Sequence, residues 1–509
     1  MAHGATPVTT APAPPVGAWR APYPGGWARD FRFGEWLGDP VTPLFETCLL
    51  PVLERAFWAA LRREAGMPTP RPTYAVVDGW YYTSLNFWPP HALGWVGRVA
   101  RHPRLLRVLL QFVPALAEWA LAPWAREWRT AGLPRHRAVV ADAEARVERL
   151  DPDDLLRLVH RVGAAAGDYF VWVALVAGAG YKTEASLARF CREHLPPTLG
   201  ESHQALLAGL TDPALPLGAH ALYSLDWWQP TLGELGPAGG AGGAGPRAGR
   251  PAPGAAREAA VAAARAALAS HPRRRREFER RLATAQRSAA LREEIVAPFT
   301  LGWPVLRRAA LRLGEGLVRA GVLGARDAVF FLTEGEVVGA MQEGAGAGGG
   351  AGLAAAAARR RREWERRRAL APPLRLGQAP RAFQRGLARL EPPLAPPAGP
   401  AAALRGRPAS PGRATGPVRL LHGPAEFDAL RPGEVLVAPA TAPAWTPLFA
   451  RAAAVVTDTG GVLAHTSLVA REYGIPAVVG TRDATVRLRS GQVVTVDGDA
   501  GVVQVQPRA

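Results

Sequence analysis

The sequence predicts two domains: a mainly α-helical N-terminal domain over residues 31–370 and a smaller α+β domain over 405–507, joined by a linker at 371–404. Three observations predict this. Up to about residue 370, apolar positions recur at helical spacing. The linker is dense in proline and interrupts that pattern. Beyond it come short β-branched runs separated by Gly, Pro or Asp, the pattern of strands and turns. With 509 residues, the chain also exceeds the ~150 of one ordinary domain.

In chain order, residues 1–30 read as a disordered leader rich in Ala and Pro, without the basic start and apolar centre of a signal peptide. Residues 50–61 read as a helix. Residues 74–82 read as a hairpin turning at Asp78-Gly79. Asp151-Pro152-Asp153-Asp154 opens another helix, with an N-cap aspartate, proline at N1 and acids in the first turn. Gly/Ala-rich tracts near 236–254 and 344–352 read as disordered loops, and 255–320 as helix between them. Residues 327–333 read as a strand or extended segment before a helix carrying Glu334 and Glu336. In the C-terminal domain, strands are expected at 418–421, 434–438, 453–457, 477–479, 493–496 and 502–505. One helix is expected at about 465–473, and a hairpin turn at 497–501.

The net charge of +18 comes from 61 basic residues, of which Lys182 is the single lysine. Abundant Ala, 55 Gly and 49 Pro accompany it, so the arginines reflect a coding bias. The densest run, 273–276, continues into Glu277, Glu279 and Arg280, as a solvated helix does, and no nucleic-acid partner is expected. Cys48 and Cys191 belong to no CxxC or His/Cys cluster, which supports neither a zinc site nor a disulfide framework, and fits a reducing cytoplasm. The apolar stretch 105–124 contains Gln111, Pro114 and Glu118, and 169–180 falls short of the ~20 residues a spanning helix needs, so no membrane span is expected.

The segment 459–480 carries the chemistry. A strand delivers the chain to Gly460-Gly461, which permit unusual backbone angles and a close approach to the main chain. His465 then falls in the first turn of a helix, where N–H groups and the positive dipole end favour an anion. An imidazole there is favoured as a neutral nucleophile, and once phosphorylated it has the N–H donors and the hydroxyls of Thr466 and Ser467 within its neighbourhood. Gly474 and Pro476 end the helix.

Residues 405–507 resemble the phosphohistidine swivelling domain of the phosphoenolpyruvate-utilising family. The resemblance runs through Ala409-Ser410-Pro411-Gly412, Gly416-Pro417-Val418, Val435-Leu436-Val437, Trp445-Thr446-Pro447, the glycine–histidine segment, Val496-Asp497-Gly498 and Gly501-Val502-Val503. It implies that His465 is phosphorylated and that Gly460, Gly461, Thr466, Ser467 and Arg471 support the phosphate. Family members often carry a hydroxyl residue just before the histidine, where this chain has Ala464. Either the hydroxyl support has shifted, or phosphorylation is weakened or lost.

Looser motifs over about 31–375 resemble the substrate-binding domain of the rifampin phosphotransferases: residues 38–44, Tyr81-Tyr82 with Asn86, Arg292-Glu293-Glu294, and 327–333 with Glu336. No GxxxxGK[ST] loop or comparable phosphate cradle accompanies them. The resemblance therefore implies a phosphotransferase component loaded by a separate ATP-grasp subunit that holds ATP and Mg²⁺. Phenylphosphate synthases, in which such domains are split between subunits, are similar. The expected acceptor is a small hydrophobic hydroxylated molecule, with Trp80, Tyr82, Asn86, Phe87 and Trp88 as pocket candidates. The competing expectation is a non-catalytic ligand-binding or regulatory protein that retains the scaffold.

Overall fold

A computed structural model describes residues 19–86, 92–111, 116–196, 199, 203–210, 218–235, 252–343, 349–370, 372–381, 384–385, 403–461 and 464–506. The helical domain is organised on helices α1 (Leu50–Ala65), α2 (Pro152–Trp172), α3 (Gly178–His194), α4 (Pro272–Val296), α5 (Trp303–Arg319), α6 (Glu334–Glu343) and α7 (Gly349–Arg368). The apolar face of α1 packs along α2, which α5 also covers. Asp151 caps α2 as its sequence signature predicts, its Oδ1 accepting from the Asp154 N–H at 2.8 Å. Phe33, Phe57, Phe170, Phe299 and Trp303 interlock at the centre with ring centroids 4.3–6.3 Å apart.

α2 and α3 run on through a π-turn at Val173–Ala177, making one helical run of 43 residues, Pro152–His194. By length and composition this run could cross a membrane, yet its apolar window is 67% buried against neighbouring helices, as in a core helix.

A four-stranded antiparallel sheet in the order β2-β3-β1-β4 closes this domain, formed by β1 (Gly26–Ala28), β2 (Tyr74–Val77), β3 (Trp80–Ser84) and β4 (Arg375–Gly377). The hairpin turns at Asp78 and Gly79, with φ of 51° and 81°, the doubly left-handed geometry of a tight two-residue turn.

Several expectations need correction here. The leader gives way to fold before residue 30, because Trp27 is fully buried and β1 pairs on both edges. The linker likewise begins with β4, which zips the end of the helical domain onto its start. Helix Pro253–Ala267 and α7 both begin inside the expected loops, since alanine runs favour helix over disorder. Residues 326–331 form a 3₁₀ helix, not a strand. The Ala328 N–H donates to the Ala325 carbonyl at 3.2 Å and the Leu332 N–H to the Val329 carbonyl at 3.0 Å, while Val329, Phe330 and Phe331 are buried against α5 and α7. Residues 1–18, 236–251 and 344–348 lie outside the described residues.

The C-terminal domain is an eight-stranded sheet in the order β5-β12-β11-β7-β8-β9-β10-β6. Its strands are β5 (Ala403–Arg405), β6 (Arg407–Ser410), β7 (Arg413–Leu420), β8 (Val435–Ala438), β9 (Ala454–Thr457), β10 (Ala477–Val479), β11 (Val493–Asp497) and β12 (Val502–Val505). Strands β7 to β10 are parallel and the outer pairs antiparallel. β8, β9 and β10 are buried along their whole length, as parallel strands covered on both faces require. Helix α8 (His465–Glu472) links β9 to parallel β10, so its N-terminus stands beyond the carboxyl ends of the parallel strands, where α/β sheets bind ligands.

Candidate phosphohistidine site

The turn before α8 is held from several directions. The Thr459 N–H and hydroxyl both donate to the Pro439 carbonyl, at 3.0 and 3.1 Å. The Thr457 hydroxyl donates to the Thr459 carbonyl at 2.7 Å. Asp458 accepts from the Thr485 N–H at 3.0 Å and from the Thr485 hydroxyl. Gly460 has φ of 112°, an angle that a side chain would strain. The Gly461 carbonyl accepts from the Ala464 N–H at 2.9 Å and from the Ser467 hydroxyl at 2.8 Å, folding the turn onto the helix start.

His465 is N1 of α8, and Ala464 at the N-cap gives no side-chain cap. The imidazole is partly buried, and its Nε2 lies 3.2 Å from the Thr446 hydroxyl. Burial, and secondarily the Arg292 guanidinium on α4, lowers its pKa to about 3, which keeps the ring neutral at physiological pH. A neutral ring with an unprotonated nitrogen at a helix N-terminus is a competent nucleophile for phosphorus, and the helix start favours the resulting anion.

The other expected supports are placed differently. Thr466 bonds the Thr441 hydroxyl at 2.7 Å in the domain interior, and Ser467 is spent on the Gly461 carbonyl. Both act on the frame of the site, because successive helical positions turn away from His465 by ~100° each. Arg471 is also not a phosphate ligand here. It is fully buried, donates from Nε to the Ala409 carbonyl at 2.7 Å, and pairs through Nη2 with Glu184 of α3 at 3.1 Å. Among the described residues, Thr446 by its hydroxyl and Arg292 by its charge, both left out of the site by sequence reasoning, act on the imidazole. Thr446 lay within the Trp445-Thr446-Pro447 motif, but its pairing with a residue 19 positions on is set by the fold.

The Arg471–Glu184 pair is the centre of a docked interface. His203, 3.9 Å from Glu184, is held neutral by burial and then by Arg471, with its pKa pushed down to about 3, so it is a polar neighbour and not a second cation. Around the pair, the Gln204 amide donates to the Pro408 carbonyl at 3.1 Å and the Leu210 N–H to Glu472 at 3.1 Å. The Ala444 N–H donates to the Leu222 carbonyl at 3.1 Å, and Tyr223 packs edge-on against Phe427 with centroids 5.1 Å apart.

The pocket candidates are mostly core. Trp80 is buried beneath the Arg29 guanidinium, 4.3 Å from the ring centroid. Tyr82 is fully buried and donates to the Pro373 carbonyl at 2.8 Å. Asn86 accepts from the Gly26 N–H at 3.2 Å and donates to the Pro24 carbonyl at 3.4 Å, tying strand to loop. These three residues stabilise the small sheet; Phe87 and Trp88 lie outside the described residues. Between the domains, Trp36, Asp39, Tyr223, His422, Thr441 and Trp445 border a small cavity of about 30 Å³.

Residues 430–501 match the family model described as PEP-utilising enzyme, mobile domain. Over 101 residues the chain is 54% identical to the uncharacterized phosphotransferase YvkC of Bacillus subtilis, covering 20% of this chain and 12% of that one. Over 92 residues it is 60% identical to the chondramide synthase cmdD of Chondromyces crocatus, covering 18% of this chain and 2% of that one. Over 101 residues it is 52% identical to a phosphoenolpyruvate synthase of Aeropyrum pernix, covering 20% of this chain and 12% of that one. The chain thus spans about an eighth or less of the length of these relatives. The matched residues, with His465 at the head of α8, are thus similar to the mobile domain of the phosphoenolpyruvate-utilising enzymes.

Proposed function

We propose that this chain is a phosphotransferase component in which His465 takes a phosphoryl group from a separate ATP-grasp subunit, itself holding ATP and Mg²⁺, and delivers it to a small hydroxylated acceptor. In the first step a P–O bond of the donor breaks as a P–N bond forms. In the second the P–N bond breaks as the acceptor oxygen bonds phosphorus and loses its proton. One observation carries this reading: a neutral imidazole at N1 of α8, inside the residues that match the mobile domain. The docked arrangement, in which the Arg292 charge of the helical domain is felt at His465, supports that domain as the acceptor side. The resemblance to rifampin phosphotransferases supports a hydrophobic acceptor.

A second reading, a non-catalytic regulatory protein that keeps the scaffold, draws on the docked interface, where the cleft beside Trp36 and Tyr223 has a cavity volume of only about 30 Å³. In the phosphotransferase reading, the domain undocks to load and to admit substrate.

Incubation with a co-encoded ATP-grasp protein and ATP labelled at the β or γ position separates the two. The phosphotransferase reading expects acid-labile label on the chain, absent in His465→Ala, and discharge of that label to a hydroxylated acceptor. A chain that takes no label from this donor or from labelled phosphoenolpyruvate supports the regulatory reading.

A further inference from the structure

The sequence shows no metal motif, yet three segments far apart in the chain bring a thiol, an imidazole and a carboxylate together. Cys48 sits in the π-turn Phe45–Leu49 at the start of α1, His160 on α2, and Glu334 at the start of α6. Their donor atoms all lie within 4.8 Å of one another. Cys48 Sγ is 3.7 Å from His160 Nε2, and the same nitrogen is 2.7 Å from Glu334 Oε1. We infer that Cys48, His160 and Glu334 form a binding site for a divalent transition-metal ion of the zinc type.

The geometry supports this in three respects. First, the sulfur and the carboxylate converge on one imidazole nitrogen. A catalytic thiol–imidazole–carboxylate relay would instead engage the two ring nitrogens separately. Second, the spacing is close to what a shared ion needs. Tetrahedral zinc with Zn–S ~2.3 Å and Zn–N ~2.0–2.1 Å sets S and N ~3.6 Å apart. The carboxylate must withdraw by only ~0.7 Å from its hydrogen bond to leave room for Zn–O ~2.0–2.2 Å.

Third, each ligand is held by its own element. The π-turn, a feature frequent at functional sites, aims Cys48 at α2. Thr47, anchored on the Pro43 carbonyl at 2.8 Å, accepts from the Glu334 N–H at 2.9 Å. Thr333 and Glu336 form a capping box beneath Glu334, and Arg360 fixes Glu336. Cys48 is buried, while the His160 and Glu334 side chains are 43% and 26% exposed, which leaves the fourth position open to water or an incoming ligand. Binding transfers the thiol proton to solvent and forms the metal–thiolate bond. The ion would pin the start of α1, the middle of α2 and the start of α6 to one another.

The test is a cobalt titration of chelator-treated full-length protein. It is expected to show one equivalent bound, with a near-ultraviolet thiolate-to-cobalt absorption band. Cys48→Ser abolishes that band and Cys191→Ser leaves it intact. Glu334→Gln, which preserves side-chain size, weakens Co²⁺ binding by more than the ~10–100-fold that loss of an outer-sphere partner causes. One equivalent of Zn²⁺ raises the thermal midpoint of the wild type and of Cys191→Ser. If wild-type protein shows no thiolate band, or a band survives Cys48→Ser, the three groups are a hydrogen-bonded cluster only and the site is overturned.

Discussion

The two domains use their residues in opposite ways. In the C-terminal domain a few backbone devices concentrate chemistry at one point: four parallel strands end together, a glycine turn folds back on itself, and a histidine heads a short helix. In the helical domain the conspicuous residues are spread through the interior. Phe33, Phe57, Phe170, Phe299 and Trp303 interlock, and Trp80 and Tyr82 serve a second, smaller core. An aromatic-rich sequence therefore marks mass to be buried more often than a pocket, whereas a glycine turn before a helix marks a place where something must approach the backbone.

The largest effect should come from cutting the contact between the regions. Glu184→Ala leaves Arg471 with its cation buried at the interface, and breaking a buried pair of this kind costs about 3–5 kcal/mol. Urea unfolding and limited proteolysis should show the C-terminal domain releasing or melting first. A variant with wild-type unfolding and protection would mean that the interface does not bind the domains together.

Acid should act next. Burial is the leading cause that lowers the pKa values of His136, His203 and His465 to about 4, 3 and 3, against ~6.5 in an unfolded chain. Above pH 6.5 neither state holds these protons. Below it the unfolded chain takes them up and the folded one does not, so these three histidines withdraw stability as pH drops from about 6.5 towards 4, while Asp226, whose carboxyl burial raises to about 6, contributes in the opposite sense. Thermal midpoints of the wild type and of His136→Gln across that range check this: the variant should lose less stability on acidification, and parallel profiles contradict it.

Two smaller perturbations sharpen the contrast. Thr446→Val removes the hydroxyl at His465 Nε2, and at about 1 kcal/mol for one hydrogen bond should slow phosphoryl uptake roughly 5-fold with little loss of stability. Tyr82→Phe should do the reverse: about 1 kcal/mol of stability lost with its bond to the Pro373 carbonyl, and phosphoryl uptake unchanged. Single-turnover labelling and denaturation of both variants give the comparison. A Tyr82→Phe protein with impaired labelling would return that residue to the site.

These contrasts also explain what could be read from the chain alone. The strands and helix of the C-terminal domain follow from β-branched runs and turn residues close in sequence, so β9, α8, β10 and the β11–β12 hairpin lie close to where local pattern puts them. The Asp151 cap and the Asp78-Gly79 turn were legible for the same reason. What local pattern does not carry is partnership at long range. Thr446 reaches His465 across 19 positions, Arg471 reaches Glu184 across 287, and Cys48 reaches His160 across 112. Hydroxyls adjacent to the histidine in sequence, Thr466 and Ser467, turned to framing roles because helical geometry points them elsewhere.

The measurement closest to the central claim is modification mapping on the full chain after incubation with its phosphoryl donor, kept at alkaline pH to preserve a P–N bond. One phosphoryl group is expected, on a peptide containing His465, at a nitrogen of the imidazole and lost on brief acidification. An unmodified His465 peptide in a sample that carries phosphate elsewhere, or equal labelling of the wild type and His465→Ala, would contradict it.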